Sequence, residues 1–430
     1  MSSQDIEAKE ANPTAVREPE DIPTAPAKPN PAGEIPNGGL TAWLQVLGSF
    51  ILFLNSWGVV NTFGAFQNYY KANLLSDVSN SDISWVGSLQ ACLLLIIGVA
   101  TGPLFDAGYF YALLTTGSFL VTFGMFMTSL CTEYWQVMLA QGVCVGLGSG
   151  CLFIPSVAIV STYFTTKKSF ATGIAASGSS LGGIIYPIVF VRLEPRIGFG
   201  WATRVIAFLM LGMFLVCIAV MRVRALPPQK RRLFELQAFR EVPFTMFSIG
   251  EFFGFMGLYI PFFYIESYAT SKAGTSAALA FYMLPIMNAG SAFGRIIPNF
   301  LADKTGPLNM LLPCSFISAL LAYCWIAVDS TAGVIVFSVL YGFFSGTFVS
   351  LPPTTVVSLS PSLNVVGTRM GMNFCFAGLG LLVGTPVAGA ILQSGSWLGM
   401  QLFCASSVVV AGALIVVARI SKNSTILAKA

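Results

Sequence analysis

Apolar runs of about twenty residues follow one another through most of this sequence, separated by short polar or Gly/Pro-containing breaks. The runs are continuous rather than alternating, which favours helices over the strands of a membrane barrel. Charged residues make up 9% of the chain, against roughly 25% in soluble proteins, so a soluble protein of this length would lack the charges to cover its surface. The sequence therefore predicts an all-α integral membrane protein in contact with the lipid bilayer.

Twelve apolar runs follow residue 36, and each is long enough to cross about 30 Å of hydrocarbon. We place the predicted spans at 42–66, 83–105, 110–131, 134–162, 170–192, 201–222, 243–266, 276–300, 308–328, 332–354, 369–393 and 397–419. Residues 1–36 contain seven prolines and seven acidic residues and are predicted to be a disordered tail.

The basic residues predict how the spans are oriented. If the amino terminus is cytosolic, 17 of the 22 Lys and Arg residues lie on the cytosolic side, as the positive-inside rule requires. Arg192 and Arg196 are exceptions, in a predicted outer loop after span 5. We expect a multi-pass protein of the plasma membrane with both termini cytosolic. Its predicted parts are a tail 1–36, halves 37–222 and 243–420, a cytosolic linker 223–242 and a tail 421–430.

Marker residues recur between the two halves. Asp106 and Asp303 lie 197 residues apart, Gly146 and Gly342 lie 196 apart, and four further Gly or Pro pairs keep nearly the same offset. An offset of six spans predicts a parallel repeat with its axis along the membrane normal, and a transport path between the halves.

Two loops carry a recognisable motif. The sequence Gly-Pro-Leu-Phe-Asp-Ala-Gly at 102–108 and Leu-Ala-Asp-Lys-Thr-Gly at 301–306 resemble the Gly-x-x-x-Asp-(Arg/Lys)-x-Gly-(Arg/Lys) signature of the major facilitator superfamily, although the first copy lacks its basic residues. The resemblance implies twelve transmembrane helices in two parallel six-helix repeats, working by alternating access. It also implies gating contacts, from Asp106 to Arg369 at the start of span 11 and from Asp303 to the start of span 5.

Further segments resemble one branch of that superfamily. Residues 37–43 (Asn-Gly-Gly-Leu-Thr-Ala-Trp) and 175–187, which end in Tyr186-Pro187, are similar to the fungal branch of the monocarboxylate porter family. That resemblance implies transport of small organic acids with protons. Two positions depart from the animal members of the family, because Asn61 stands in place of a lysine and Ser291 in place of an aspartate.

Charged residues inside the predicted spans are candidates for the site. Arg295 in span 8 and Glu251 in span 7 both lie about seven residues from the cytosolic ends of their spans, so they could pair or share a cavity. We interpret Arg295 as holding an anionic substrate group and Glu251 as coupling to a proton. The alternatives are a structural ion pair, or an Arg295 that snorkels to the membrane surface.

Uncharged polar residues inside the spans complete the candidate set. The predicted substrate-binding residues, in addition to Arg295, are Asn61, Asn288, Asn373 and Tyr186. Each could instead be a hydrogen-bonding link between helices. The span 7 aromatics, which include Phe252, Phe253, Phe255 and Tyr259, could wall a ring-bearing substrate or serve packing alone.

Several function classes are excluded by composition. The chain contains no histidine, which removes Ser-His-Asp and Cys-His catalysis and every histidine metal site. We predict no enzyme activity, no cofactor, no metal and no nucleic-acid partner. The predicted function is secondary active transport of a small organic acid or related metabolite, with proton coupling left open. The alternatives are efflux of a fungal secondary metabolite and, from another class, a nutrient sensor that does not transport.

Overall fold

The computed structural model describes residues 36–224, 235–361 and 363–423 of the 430-residue chain. Within these ranges helices dominate and strands are absent. Eleven helical segments there are long and apolar enough to cross a membrane. The predicted all-α membrane architecture is confirmed, while the predicted tails and much of the predicted linker lie outside the described residues.

We number the membrane-spanning helices by their order in the chain. Helices α1 to α4 are Leu40–Leu74, Asn80–Phe105, Phe110–Thr128 and Tyr134–Tyr163. The single segment Lys168–Val220 provides α5 and α6. Helices α7 to α12 are Val242–Ser271, Ala277–Thr305, Pro307–Ala327, Thr331–Leu359, Val365–Gln393 and Trp397–Lys422.

The segment Lys168–Val220 holds two spans rather than one. It has 53 residues, a length of about 80 Å at 1.5 Å per residue, which is more than twice the thickness of a bilayer. Gly198 interrupts it with φ 77° and ψ 163°, a conformation that glycine reaches without a steric penalty. The interruption separates α5 (168–197) from α6 (199–220), so the twelve predicted spans are present.

The predicted outer loop between spans 5 and 6 is wrong. Helix α5 continues through Arg192 and Arg196 up to the residue before Gly198. Arginine and glutamate are good helix formers, so the helix extends beyond the apolar run that hydropathy detects. Both arginines are exposed on it, and Arg192 donates a hydrogen bond to the Tyr282 hydroxyl of α8 at 2.5 Å.

One end of the bundle gathers the segments on either side of the linker, and we call it the linker end. The N–H of Asn37 before α1 donates to the carbonyl of Tyr163 at the end of α4, at 3.1 Å. The Tyr163 hydroxyl donates to the carbonyl of Arg222 after α6, at 2.9 Å. Glu241, directly before α7, pairs with Arg369 at the start of α11. Helices α1 and α7 therefore start at the same end, as a parallel repeat requires.

The repeat is visible in how the helices pack. A Cβ added to Gly146 of α4 would lie 3.1 Å from the Cα of Gln90 in α2. A Cβ added to Gly342 of α10 would collide with the Met287 carbonyl of α8. Helix α4 thus packs on α2 as α10 packs on α8, with a glycine at the same place in each half.

The two halves meet along seams that obey the same symmetry. Gly173 of α5 lies against α8, where an added Cβ would be 2.8 Å from the Cβ of Asn299. Its repeat partner Gly371 of α11 lies against α2, where an added Cβ would be 3.0 Å from the Cα of Val99. The α5–α8 and α2–α11 seams are therefore equivalent contacts between the halves.

The close contact between α1 and α5 generates a stability prediction. A Cβ on Gly182 would lie 2.5 Å from the Leu54 carbonyl oxygen and 2.8 Å from the Gly58 Cα, which are backbone atoms that move only if the helix moves. Gly182→Val should force the helices apart and cost about 1–3 kcal/mol, the usual range for overpacking. We expect a lower Tm and less monodisperse protein in detergent, measured by thermal scanning and size-exclusion chromatography.

The matched control is Gly212→Val in α6, where an added Cβ meets no heavy atom within 4 Å. Equal melting temperatures for the two variants would contradict the close α1–α5 contact.

Candidate functional site

Aromatic rings from both halves meet in the middle of the bundle. Trp57 of α1 stacks on Tyr259 of α7 with ring centroids 5.9 Å apart and planes at 28°. Phe255, one turn earlier on α7, lies 6.1 Å from Tyr259 and 6.3 Å from Trp57. Trp57 and Tyr259 each follow the first residue of their helix by 17 positions, a depth of about 26 Å from the linker end. These three residues form what we call the aromatic seam.

The aromatic seam extends to the helices beside it. Phe153 of α4 makes an edge contact with Trp57 at 5.9 Å and lies 5.1 Å from Phe374 of α11. Phe348 of α10 lies 6.0 Å from Phe255. The repeat-related pairs α1/α7 and α4/α10 therefore converge on one ring cluster where the halves touch.

Arg295 of α8 points towards this cluster and is 1% exposed. Its Nε donates to the Ser291 hydroxyl at 3.2 Å, and its Nη1 donates to the Ala176 carbonyl of α5 at 3.4 Å. The guanidinium also lies near enough to the Tyr259 hydroxyl for an electrostatic interaction. Buried cations in a membrane are costly unless they are paired, and Arg295 makes no ion pair within the described ranges.

Glu251 of α7 is fully buried, and neither carboxylate oxygen has a hydrogen-bond partner among the described residues. Its backbone lies at nearly the same depth as that of Arg295, since it is nine residues from the start of α7 and Arg295 is ten from the end of α8, but the Arg295 side chain extends one turn further from the linker end, to Ser291. The two nevertheless form no ion pair in the structure. Glu251 shares a helix face with Ser248, which accepts from Asn373 of α11 at 3.2 Å, and with Phe255 of the aromatic seam.

The three predicted asparagines share one pattern, in which the side-chain nitrogen donates a hydrogen bond and the side-chain oxygen accepts none in the described chain. Asn61 and Asn288 donate to α5 carbonyls, those of Ser179 and Gly183, each at 3.3 Å. The donors therefore link helices. The Oδ1 atoms of both residues, and that of Asn373, are buried without a partner in the described chain. Each asparagine thus links helices and keeps one acceptor without a partner among the described residues.

Tyr186 lies away from the seam between the halves. Its hydroxyl is buried and donates to Asn55 Oδ1 at 2.6 Å, which joins α5 to α1 inside the N-terminal half. Asn55 in turn donates to the Ile51 carbonyl at 2.8 Å. This arrangement gives Tyr186 a helix-linking role, and its substrate contact stays a prediction.

Asp303 at the end of α8 lies at the start of α5. Its two carboxylate oxygens accept from the backbone N–H groups of Ser169 and Phe170, each at 3.0 Å. These are orphan donors of the first turn of α5, whose own N-cap residue Lys167 makes no side-chain cap bond. A carboxylate from one half therefore caps a helix of the other, where the helix dipole also favours it.

Arg369 of α11 is held by acids that the sequence analysis did not single out. Its guanidinium bonds Glu235 at 3.0 Å and Glu241 at 2.5 Å, both on the segment before α7, and lies over the Phe244 ring. The side chain of Asp106 lies outside the described part of the structure, and with it the predicted contact to Arg369. The described segment from Glu235 to Glu241 is thereby held against the amino-terminal part of α11.

Sequence reasoning missed three residues of this arrangement. Trp57 lies four residues before Asn61, a spacing that puts both on one helix face, and this signal was available. Glu235 and Glu241 stand in a stretch that attracted notice for its basic residues alone. Nothing local in the sequence pairs them with Arg369, which is 128 or more residues away.

Comparison with known proteins agrees with this geometry. Residues 45–362 match the family described as the Major Facilitator Superfamily. The chain is 48% identical over 385 residues to the MFS-type transporter dbaD of Emericella nidulans, covering 89% of this chain and 87% of that protein. It is 40% identical over 392 residues to the Aspyridones efflux protein apdF of the same species, covering 90% and 80%. It is 38% identical over 390 residues to the Agnestins efflux protein AgnL12 of Paecilomyces divaricatus, covering 90% of each.

The capping contact of Asp303 generates a second prediction. Asp303→Ala should leave two amides of α5 unsatisfied and cost about 1 kcal/mol, as loss of a helix cap does. Asp303→Asn keeps one acceptor and should cost less. Thermal scanning in detergent measures both, with Asp329→Ala in an exposed loop as the control. Equal melting of the Asp303→Ala and Asp329→Ala variants would refute the cap.

Proposed function

This chain belongs to the Major Facilitator Superfamily and is a multi-pass membrane transporter, not an enzyme. We propose that it exports a small organic metabolite from the cell by alternating access. The names of two relatives, efflux proteins for aspyridones and agnestins, support export. The observation that carries transport of such a metabolite is the group of buried polar atoms beside the aromatic seam that have no partner among the described residues.

Uptake of a small organic acid, as in monocarboxylate porters, is the second candidate. Arg295 favours it, because a buried guanidinium without a carboxylate partner in the described chain suits an anionic substrate group. Ser291 counts against a close parallel to the animal porters, since it gives Arg295 a hydroxyl where they have an aspartate. Arg295 serves either direction of transport, and the names of the relatives are what favours export over uptake.

Alternating access requires contacts at the linker end that form and break. We assign gating to Asp303, whose bonds to α5 cross from one half to the other, and to Arg369 with Asp106. The Arg369 pairs to Glu235 and Glu241 add a link from the start of α7 to α11. Rocking of the halves against each other would open this end while the opposite end closes.

Glu251 supplies the proposed coupling to protons. An ionised carboxylate buried without a hydrogen bond is costly, and protonation removes that charge. A substrate group that donates to Glu251 removes the same penalty, so substrate and proton compete for one site. Competition of this kind is the basis of antiport, in which entry of a proton drives export of the substrate.

We place the linker end and both termini in the cytosol and the protein in the plasma membrane. The bias of basic residues supports this orientation. A fluorescent tag on either terminus should be inaccessible to protease in intact cells and cleaved after permeabilisation. Cleavage in intact cells would reverse the orientation.

Export is tested by secretion. Cells that produce the chain are compared with cells that produce none, and metabolites inside and outside are profiled by mass spectrometry after feeding with a panel of organic acids and fungal metabolites. Export predicts at least one compound shifted to the medium. A shift into the cells would favour the uptake proposal instead.

Removing the titratable group should uncouple transport from pH. In Glu251→Gln the side chain keeps its shape and loses its proton exchange, so export should no longer rise when the medium is acidified. The matched control is Glu194→Gln, near the carboxyl-terminal end of α5, which lies away from the linker end. A Glu251→Gln variant that still responds to the pH gradient would exclude Glu251 as the coupling residue.

Arg295 should matter for an anionic substrate. Arg295→Ala removes a charged hydrogen-bond donor and should lower transport at least about tenfold at unchanged surface level, measured by fluorescence of a fused reporter. Arg196→Ala, at the exposed end of α5, is the control. Undiminished transport by Arg295→Ala would remove this residue from the site.

A further inference from the structure

We propose that Trp57, Phe255 and Tyr259 form a slot for a flat aromatic substrate that carries a hydroxyl group, with Glu251 and Arg295 receiving its polar ends. This inference rests on the proposed export function and adds the chemical class of the substrate. It depends on three observations: the geometry of the rings, the polar atoms they leave unsatisfied, and the spacing along α7.

The rings offer flat faces from opposite halves. Trp57 belongs to α1, and Phe255 and Tyr259 belong to α7, and each is 1% exposed. When the halves separate during transport, Trp57 loses its stacked partners. A flat aromatic ligand between the rings replaces the lost face contacts on both sides, whereas a puckered saturated ring does not.

Another stack of three rings in the described part of the chain lacks this property. Trp325, Phe337 and Tyr341 stack at 5.4 and 5.2 Å, and all three lie in the C-terminal half. The Tyr341 hydroxyl donates to the Leu258 carbonyl at 2.9 Å, and Trp325 Nε1 is buried without a partner among the described residues. Movement of one half against the other leaves that stack intact, so it is packing.

The polar atoms of the slot are unsatisfied among the described residues. They are Trp57 Nε1 and both oxygens of Glu251, all buried, while the Tyr259 hydroxyl interacts with the Arg295 guanidinium. Buried polar groups without partners are rare and costly. The indole donates, the carboxylate accepts and the tyrosine hydroxyl does both. A ligand hydroxyl matches this set, since it can donate to Glu251, and an acidic or carbonyl oxygen suits Arg295.

Spacing along α7 sets the size of the ligand. Glu251, Phe255 and Tyr259 are four residues apart, so they lie on one face, with about 12 Å of helix axis between the first and the last. Tyr259 is the neighbour of Arg295. A ligand of two fused rings with a polar group at each end matches a path from Glu251 past Phe255 to Arg295.

The test uses the full chain in lipid nanodiscs and three probes of equal charge and similar size. 6-Hydroxy-2-naphthoate is flat, and decahydro-2-naphthoate is its puckered counterpart without the hydroxyl. 2-Naphthoate separates the effect of flatness from that of the hydroxyl. Calorimetry should give a lower Kd for 2-naphthoate than for the decahydro acid, and the lowest Kd for the hydroxylated probe.

Variants assign the preference to the slot. Trp57→Leu should weaken binding of both flat acids by about 2- to 12-fold, the range of one aromatic pair, and leave the decahydro acid unchanged. Trp57→Phe should keep most of the preference. Trp201→Leu, at a tryptophan of α6 that is 56% exposed, is the matched control. If Trp57→Leu does not fold, Tyr259→Leu carries the same test from the other half.

Three results would overturn the slot. They are equal affinity for 2-naphthoate and the decahydro acid, no binding of any probe, and a Trp57→Leu variant with unchanged preference. Such a result leaves the export proposal intact if the secretion assay still detects export. Tight, Trp57-dependent binding of the flat acids without secretion supports the slot and overturns the exporter. The two proposals therefore fail separately.

Discussion

The contact of backbone against backbone at glycines is the constraint on which the rest of this structure depends. Lipid tails are as apolar as leucine, so helices in a membrane gain little from burying side chains against each other, and they associate where small residues allow close approach. At Gly173 an added Cβ would collide with the Arg295 carbonyl of α8. That approach brings the Arg295 guanidinium within 3.4 Å of the Ala176 carbonyl. A charge buried inside the bundle is thus positioned by a residue with no side chain.

The halves contribute differently to the seam that these contacts create. Helix α5 of the N-terminal half presents the carbonyls of Ala176 and Gly183, and the C-terminal half sends the side chains of Arg295 and Asn288 to them. Carbonyls already bonded within a helix are weak partners, and both distances exceed 3.2 Å. The polar groups of the C-terminal half are therefore held in place but remain available to a ligand.

What the sequence could predict follows from the range of the forces involved. Hydropathy and the offset between Gly146 and Gly342 predicted twelve spans and a parallel repeat, because lipid selects apolar helices and each half packs by itself. The predicted end of span 5 at residue 192 was wrong. Hydropathy detects the residues that contact lipid, and the helix continues past them through Arg192 and Arg196. The Glu241–Arg369 pair was beyond reach, since it depends on how α7 and α11 meet.

The same reasoning explains why the candidate site was found only in part. An unpaired Arg295 or Glu251 is conspicuous in an apolar run, because its cost is a property of the residue and the lipid alone. Trp57 carries no such cost, and an apolar run accommodates it anywhere. Its meaning arises when α1 and α7 bring its face against Tyr259 from the other half. A ring pair that spans the seam is broken whenever the halves part, so whatever enters the seam is selected for its ability to replace that stack.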